Sequence, residues 1–136
     1  MKSSAAALFL FLILSGICTG QNPDSLKFKS VQPAEFRAAY EHSEKALLID
    51  VREFFEYKKS RLTGAINIPS SGNLSAASDT LDRNMDYFFY CTSGFRSKRV
   101  AKFFSGKGFL NIYSLDGGIM AWKKENLPID RKRVKR

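Results

Sequence analysis

Residues 87–104 read YFFYCTSGFRSKRVAKFF, and this stretch joins an apolar run to a short polar loop and then to a helix-like segment. The run ends at Cys91, whose thiol is predicted to lie between the end of a strand and the first turn of a helix. Unpaired N–H groups and the positive end of a helix dipole meet at such a position, and both favour thiolate over thiol. Arg96 adds a cation to the same loop. We therefore expect a pKa for Cys91 below its ordinary value and a loop that receives an anionic substrate.

Apolar runs and amphipathic segments alternate along the body of the chain. Strands are predicted over residues 28–31, 46–51, 65–68, 85–90 and 112–115, and helices over residues 33–40, 54–59, 74–81, 97–107 and 117–125. The continuous apolar run at 46–51 is typical of a strand buried on both faces, as in parallel sheets that are covered by helices. The alternation predicts an α/β domain with a mostly parallel sheet of about five strands and helices on both faces.

Functional side chains are expected beyond the carboxyl ends of these strands, where parallel sheets bind their ligands. Cys91 follows one strand, while Asp50 and Arg52 lie at the end of another. The three side chains are therefore predicted to converge at one edge of the sheet. We expect Asp50 and Arg52 to form an ion pair that supports the loop rather than to take part in chemistry.

The spacing of Cys91 and Arg96 separates two chemistries that use such a loop. Four residues lie between them, whereas the tyrosine-phosphatase and dual-specificity phosphatase families carry five. The shorter loop is too small for a tetrahedral oxyanion but large enough to surround one sulfur atom carried on the cysteine. Here the motif Cys-x-x-Gly-x-Arg-Ser at residues 91–97 resembles the rhodanese family. Three further segments resemble that family in its order: LLIDVRE at 47–53, GAINIP at 64–69 and LDGGIMAW at 115–122.

The resemblance covers residues 28–129 and implies a rhodanese-like fold and a sulfurtransferase without a cofactor. It implies that Cys91 takes a sulfane sulfur from a small anionic donor such as thiosulfate, forms a persulfide and passes the sulfur to a thiol or to cyanide. The implied substrate-binding residues are Thr92, Ser93, Gly94, Phe95, Arg96 and Ser97. In this reading Gly94 permits close backbone approach, and Ser97 caps the following helix.

The chain departs from the family's pattern at two places near the site, and it has only one histidine. Thr92 stands where the family often has arginine, and residues 61–63 lack the histidine that often precedes the GAINIP segment. Arg96 is consequently the only basic side chain within the loop. Because the chain has a single histidine, His42, the usual ligands of a metal site are missing and we predict none.

Three other functions stay open at this stage. A non-catalytic sulfur carrier or polysulfide-binding module would keep the persulfide of Cys91 but transfer it slowly. A cysteine-dependent phosphatase or arsenate reductase would hydrolyse a phosphoester or depend on arsenate, and the short loop argues against both. A pure interaction module would tolerate the loss of Cys91.

The termini carry signals of their own. Residues 1–20 combine one lysine, a short apolar run and small residues, which predicts a cleaved signal peptide and export to the periplasm. The alternative is a lipoprotein anchored through Cys18. Residues 21–130 then form the rhodanese-like domain, with Cys91 as its lone cysteine, and residues 131–136 form a basic disordered tail.

The charge of the chain is concentrated at its end. The net charge is +9, and the tail contributes five positive charges, so the body has only a small positive excess. That excess suits a small anionic donor and is poor support for nucleic-acid binding. The apolar run of the leader is shorter than a membrane span, which takes about 20 residues. We expect no stable membrane insertion and a monomer or weak homodimer.

Overall fold

The computed structural model describes residues 27–134, which form a parallel sheet between two layers of helices. The strands in chain order are β1 (Lys29–Val31), β2 (Ala46–Asp50), β3 (Arg61–Leu62), β4 (Ile66–Asn67), β5 (Asp86–Tyr90), β6 (Asn111–Leu115) and β7 (Ile129–Asp130). The helices are α1 (Pro33–His42), α2 (Phe54–Lys59), α3 (Leu74–Thr80), α4 (Phe95–Gly106) and α5 (Gly118–Lys124). Five strands pair in the order β1-β6-β5-β2-β4, all parallel. The prediction of an α/β fold with a five-stranded parallel sheet is confirmed.

Strand β5 is central because its side chains are buried on both faces. Tyr87 and Phe89 point into a core with α3 and α4, whereas Phe88 and Tyr90 point into a core with α1 and α5. This alternation follows from the two-residue period of a strand. Each of these aromatic rings is at most 1% exposed, and burying a ring of this size contributes about 1.5–3 kcal/mol. Cys91 directly follows β5 and continues the side that faces α4.

Helix α4 begins two residues earlier than predicted. Its N-cap is Gly94, which has a positive φ of 96°, and Phe95 is its first residue. Ser97 is the third residue of the helix, and its hydroxyl donates to the carbonyl of Gly94 at 3.1 Å. The prediction that Ser97 caps α4 is therefore wrong. Gly94 supplies the left-handed turn that ends the loop, no side chain caps the helix, and the N–H of Gly94 donates to the sulfur of Cys91.

A two-stranded antiparallel ribbon of β3 and β7 was not predicted. Its strands have two residues each, too few for an alternating pattern, and Arg61 pairs with Asp130. The guanidinium of Arg61 donates to Asp130 at 2.9 Å and to the carbonyl of Lys132 at 2.9 Å. The ribbon thus fixes the chain that leads from the domain into the predicted tail.

The predicted signal peptide, residues 1–20, and the last two residues of the tail lie outside the described residues. Export and lipidation at Cys18 accordingly stay predictions. Among the helices of residues 27–134, none has the length and apolar character needed to cross a bilayer.

Candidate active site

The sulfur of Cys91 lies at the carboxyl edge of β5, in a loop that turns backbone N–H groups toward it. The N–H of Gly94 donates to Sγ at 3.1 Å. The thiol donates to Ser97 Oγ, 3.6 Å away, and Ser114 Oγ donates to the same oxygen at 3.0 Å. Cys91 is only 1% exposed. Residues 91–97, hereafter the cradle, therefore surround the sulfur with amides and are backed by two buried hydroxyl groups.

These contacts determine the acidity of Cys91. Burial by itself raises the pKa of the thiol, but hydrogen bonds to the sulfur outweigh burial and leave the pKa below its ordinary value. The backbone N–H and hydroxyl of Ser97 lower it most, followed by the N–H groups of Gly94 and Ser93. Such donors bind a thiolate more strongly than a thiol and so favour ionisation. The expected lowering is present, and amides together with one hydroxyl are its main causes.

Helix α5 holds the carbonyl side of the cradle. The N–H of Ile119 donates to the carbonyl of Cys91 at 2.9 Å, and the N–H of Met120 donates to that of Thr92 at 3.2 Å. Gly118 lies directly beneath the loop with a φ of +59°, and a Cβ there would be 2.5 Å from the oxygen of Cys91. Only glycine permits this approach. Because these carbonyls point at α5, the N–H groups that follow them are free to face the sulfur.

Arg96 bridges the cradle to α2. Its guanidinium donates to both carboxylate oxygens of Glu56, at 2.8 and 3.0 Å, and to the hydroxyl oxygen of Thr92 at 3.0 Å. Thr92 in turn donates to Glu56 at 3.0 Å. The hydrogen bonds from Arg96 are the largest cause that lowers the pKa of Glu56, to about 2. Glu56 raises the pKa of Arg96, and Cys91 adds a smaller effect of the same sign. The cation of the loop is therefore close to the sulfur but already paired.

Asp50 and Arg52 form the expected ion pair, on the other side of the sheet from the sulfur. The Nη2 atom of Arg52 lies 2.6 Å from an oxygen of Asp50 and donates to the carbonyl of Ser60 at 2.6 Å. Both side chains are buried. The alternation of β2 places Asp50 on the side of Tyr90, whereas Cys91 faces α4. The three residues lie at the same edge of the sheet, as predicted, but their side chains do not converge, because residues at neighbouring strand ends can point to opposite faces.

The sequence patterns missed two residues of the site. Glu56 has no signal of its own in the sequence, although a carboxylate near the start of a helix is a ready partner for a loop arginine. Ser114 is a polar residue between Tyr113 and Leu115 in β6 and is 0% exposed. Such a residue must bond to something inside the fold. That pattern was the one signal that pointed to Ser114.

The remaining candidate residues differ in their exposure to solvent. Ser93 and Phe95 are exposed at the mouth of the cradle, and Thr92 is half-buried. His42 ends α1 and its Nδ1 lies 2.7 Å from the carbonyl of Ala38. Within residues 27–134, no group of three or more His, Cys, Asp or Glu side chains is arranged to hold a metal ion.

Comparisons with known proteins agree with this geometry. The family model of the rhodanese-like domain matches residues 32–125. The chain is 34% identical over 103 residues to YtwF of Bacillus subtilis, which is named as a sulfurtransferase, and the match covers 76% of this chain and 98% of that protein. It is 31% identical over 88 residues to the thiosulfate sulfurtransferase GlpE of Actinobacillus succinogenes, with 65% and 78% of the two chains covered.

Two further comparisons show how widely the similarity extends. The crystal structure of a rhodanese-related protein from Thermoplasma volcanium superposes with a TM-score of 0.67 at 32% identity, over 76% of this chain and 99% of that one. A tRNA uridine(34) hydroxylase of Hamiltonella defensa is 33% identical over 93 residues, but the match covers only 26% of that longer protein. Proteins that are named for different activities therefore contain a domain similar to this chain.

Proposed function

The chain belongs to the rhodanese-like domain family, and on this premise we propose that it is a sulfurtransferase that works through a persulfide on Cys91. The donor in this proposal is thiosulfate or a related small sulfane compound, and the acceptor is a thiol or cyanide. The observation that carries it is the cradle: a buried sulfur with a lowered pKa that accepts an amide hydrogen bond at 3.1 Å.

In the first step the thiolate of Cys91 attacks the sulfane sulfur of the donor. A sulfur–sulfur bond forms on Cys91, the donor's own sulfur–sulfur bond breaks, and its electron pair leaves with the departing group, sulfite when the donor is thiosulfate. The new outer sulfur carries the negative charge. The N–H groups of Ser93, Gly94 and Ser97 are the donors available to stabilise that charge.

In the second step the acceptor attacks the outer sulfur. The bond to Cys91 breaks, its electron pair returns to the cysteine, and the amide donors again hold a thiolate. The same cradle therefore serves both displacements. A group held by preorganised donors needs no reorganisation of the protein between them.

The charge of the cradle affects which sulfur donors it can bind. Both Nη atoms of Arg96 donate to Glu56, and Nη2 donates to Thr92 as well. No second arginine stands in the loop, because residue 92 is threonine. A dianion such as thiosulfate therefore meets a cation that is shared with a carboxylate. We expect the protein to use singly charged persulfides at least as well as thiosulfate.

Incubation with donor followed by intact mass spectrometry tests the proposal. The wild type should gain about 32 Da, the mass of one sulfur atom, and should then convert cyanide to thiocyanate. Cys91→Ser should do neither. Ser71→Ala is a matched control, since Ser71 is exposed and lies outside the cradle. Thiocyanate formation by Cys91→Ser at the wild-type rate would remove the assignment, and a persulfide without turnover would favour the sulfur carrier.

A further inference from the structure

Three exposed apolar side chains stand around the mouth of the cradle. Phe55, Phe95 and Met120 are 73%, 70% and 61% exposed. Phe55 precedes Glu56, which is bound to the loop, and Met120 donates its own N–H to the loop. They are three of the five large hydrophobic side chains that are exposed within residues 27–134. Exposed apolar surface is thus concentrated at the site, and we call these three residues the apolar ring.

Each member of the apolar ring is followed by two cations on its own helix. Residues three and four positions apart lie on the same side of a helix, and in all three cases these positions are basic and exposed. The pairs are Lys58 and Lys59 on α2, Lys98 and Arg99 on α4, and Lys123 and Lys124 on α5. The three helices begin beside the cradle, so these six cations lie one helical turn further from it than the apolar ring. We call the six cations the basic ring.

Half of the basic ring has no partner in the described part of the chain. The first cation of each pair is engaged, by the ring of Phe54, by Asp116 and by Ser60 respectively. The second cation of each pair forms no ion pair within residues 27–134. These second cations are Lys59, Arg99 and Lys124. Nearby positive charge also lowers the pKa of Lys123, after the larger effect of burial. The ring therefore presents uncompensated positive charge to an approaching molecule.

We infer that the apolar and basic rings dock an acidic protein whose cysteine thiol accepts the sulfur from Cys91. This inference rests on the proposed function. An apolar centre with a charged border is the ordinary layout of a protein–protein interface, and an exposed apolar cluster of this kind marks an interaction site. The positive border selects a partner of negative charge.

Two other occupants fit less well. A second copy of this chain would bring one basic ring against another, and the chain carries a net charge of +9. An RNA acceptor would suit the cations, but thiolation of a base carbonyl requires prior activation of that oxygen. Transfer to a thiol requires none.

The transfer needs no reactant besides the persulfide of Cys91 and the thiol of the partner. The partner's thiolate attacks the outer sulfur of the persulfide, a sulfur–sulfur bond forms on the partner, and the bond to Cys91 breaks. The electron pair returns to Cys91 as a thiolate, and the proton given up by the partner's thiol passes to water or to the transferred sulfur.

Two synthetic peptides and one neutral thiol test the inference. One peptide carries a single cysteine between two leucines with glutamates on both sides, the second has lysine in place of every glutamate, and 2-mercaptoethanol is the neutral thiol. The acidic peptide should accept sulfur with a kcat/KM about tenfold above that of the basic peptide. Raising NaCl from about 50 to about 300 mM should remove most of that preference.

Charge reversal at the second cations locates the effect. The triple variant Lys59→Glu, Arg99→Glu, Lys124→Glu should lose the preference and keep wild-type transfer to 2-mercaptoethanol. The matched control reverses three exposed lysines that lie at or before the starts of β1 and β2, at the opposite edge of the sheet: Lys27, Lys29 and Lys45. It should keep the preference although its net charge is the same.

The possible failures are distinct. If no persulfide forms, the proposed function is wrong. If the persulfide forms and 2-mercaptoethanol accepts sulfur, but both peptides react equally or both triple variants behave alike, the docking inference alone is overturned. Transfer of labelled sulfur to RNA in preference to the acidic peptide would also overturn it.

Discussion

Ser97→Ala should raise the pKa of Cys91, because the variant removes the hydroxyl that can turn from the Gly94 carbonyl to the sulfur once the thiol is ionised, and keeps the backbone N–H. A hydrogen bond to a charged group contributes about 1.5–3 kcal/mol, and one pKa unit corresponds to about 1.4 kcal/mol. We take the lower end since the distance from Sγ to Ser97 Oγ is 3.6 Å. At a pH well below the pKa, the thiolate population and the alkylation rate should then fall about tenfold.

The assay is the rate of alkylation by iodoacetamide as a function of pH. Ser93→Ala is the matched control, because Ser93 is exposed and contributes only its backbone N–H to the sulfur. Its midpoint should equal that of the wild type. A Ser97→Ala midpoint equal to that of the wild type, or an equal shift in both variants, would refute the role given to the hydroxyl.

Three other predictions concern Gly118, Glu56 and Asp50. Gly118→Ala should reduce sulfur transfer about a hundredfold, since a Cβ at that position displaces the cradle by about an ångström, whereas Gly106→Ala, with nothing within 4 Å, should leave transfer rates unchanged. The free energy of unfolding should fall as the pH drops from the ordinary pKa of glutamate toward about 2, because the folded-state pKa of Glu56 is depressed. Chemical denaturation at a series of pH values measures this fall, and the fall should be smaller in Glu56→Gln. Asp50→Asn should cost about 3–5 kcal/mol of stability by leaving a buried guanidinium unpaired, and its folded fraction should still form the persulfide; equal stability would contradict the buried pair.

The strand, loop and helix around Cys91 could be predicted because their signal is local. Four consecutive buried aromatics from Tyr87 to Tyr90 indicate a strand with both faces covered, and the change to a helical period follows within seven residues. The cradle then lies at the carboxyl edge by the rules of parallel sheets. Position along the chain was sufficient to place Cys91 at that edge.

The partners of the loop could not be predicted because they come from distant segments. Glu56 reaches Arg96 across 40 residues, and Arg61 reaches Asp130 across 69 residues. Pairs of this kind have no periodic signature. Strand ends also leave the choice of face open, and a one-residue difference placed Asp50 on the opposite side from Cys91.

A crystal structure of the protein after treatment with thiosulfate tests the central claim most directly. We predict a second sulfur about 2.05 Å from Sγ of Cys91, within hydrogen-bond distance of the N–H groups of Ser93, Gly94 and Ser97. A second sulfur that points away from these groups, or an unmodified thiol in a fully loaded sample, would contradict the claim that the cradle receives the transferred atom.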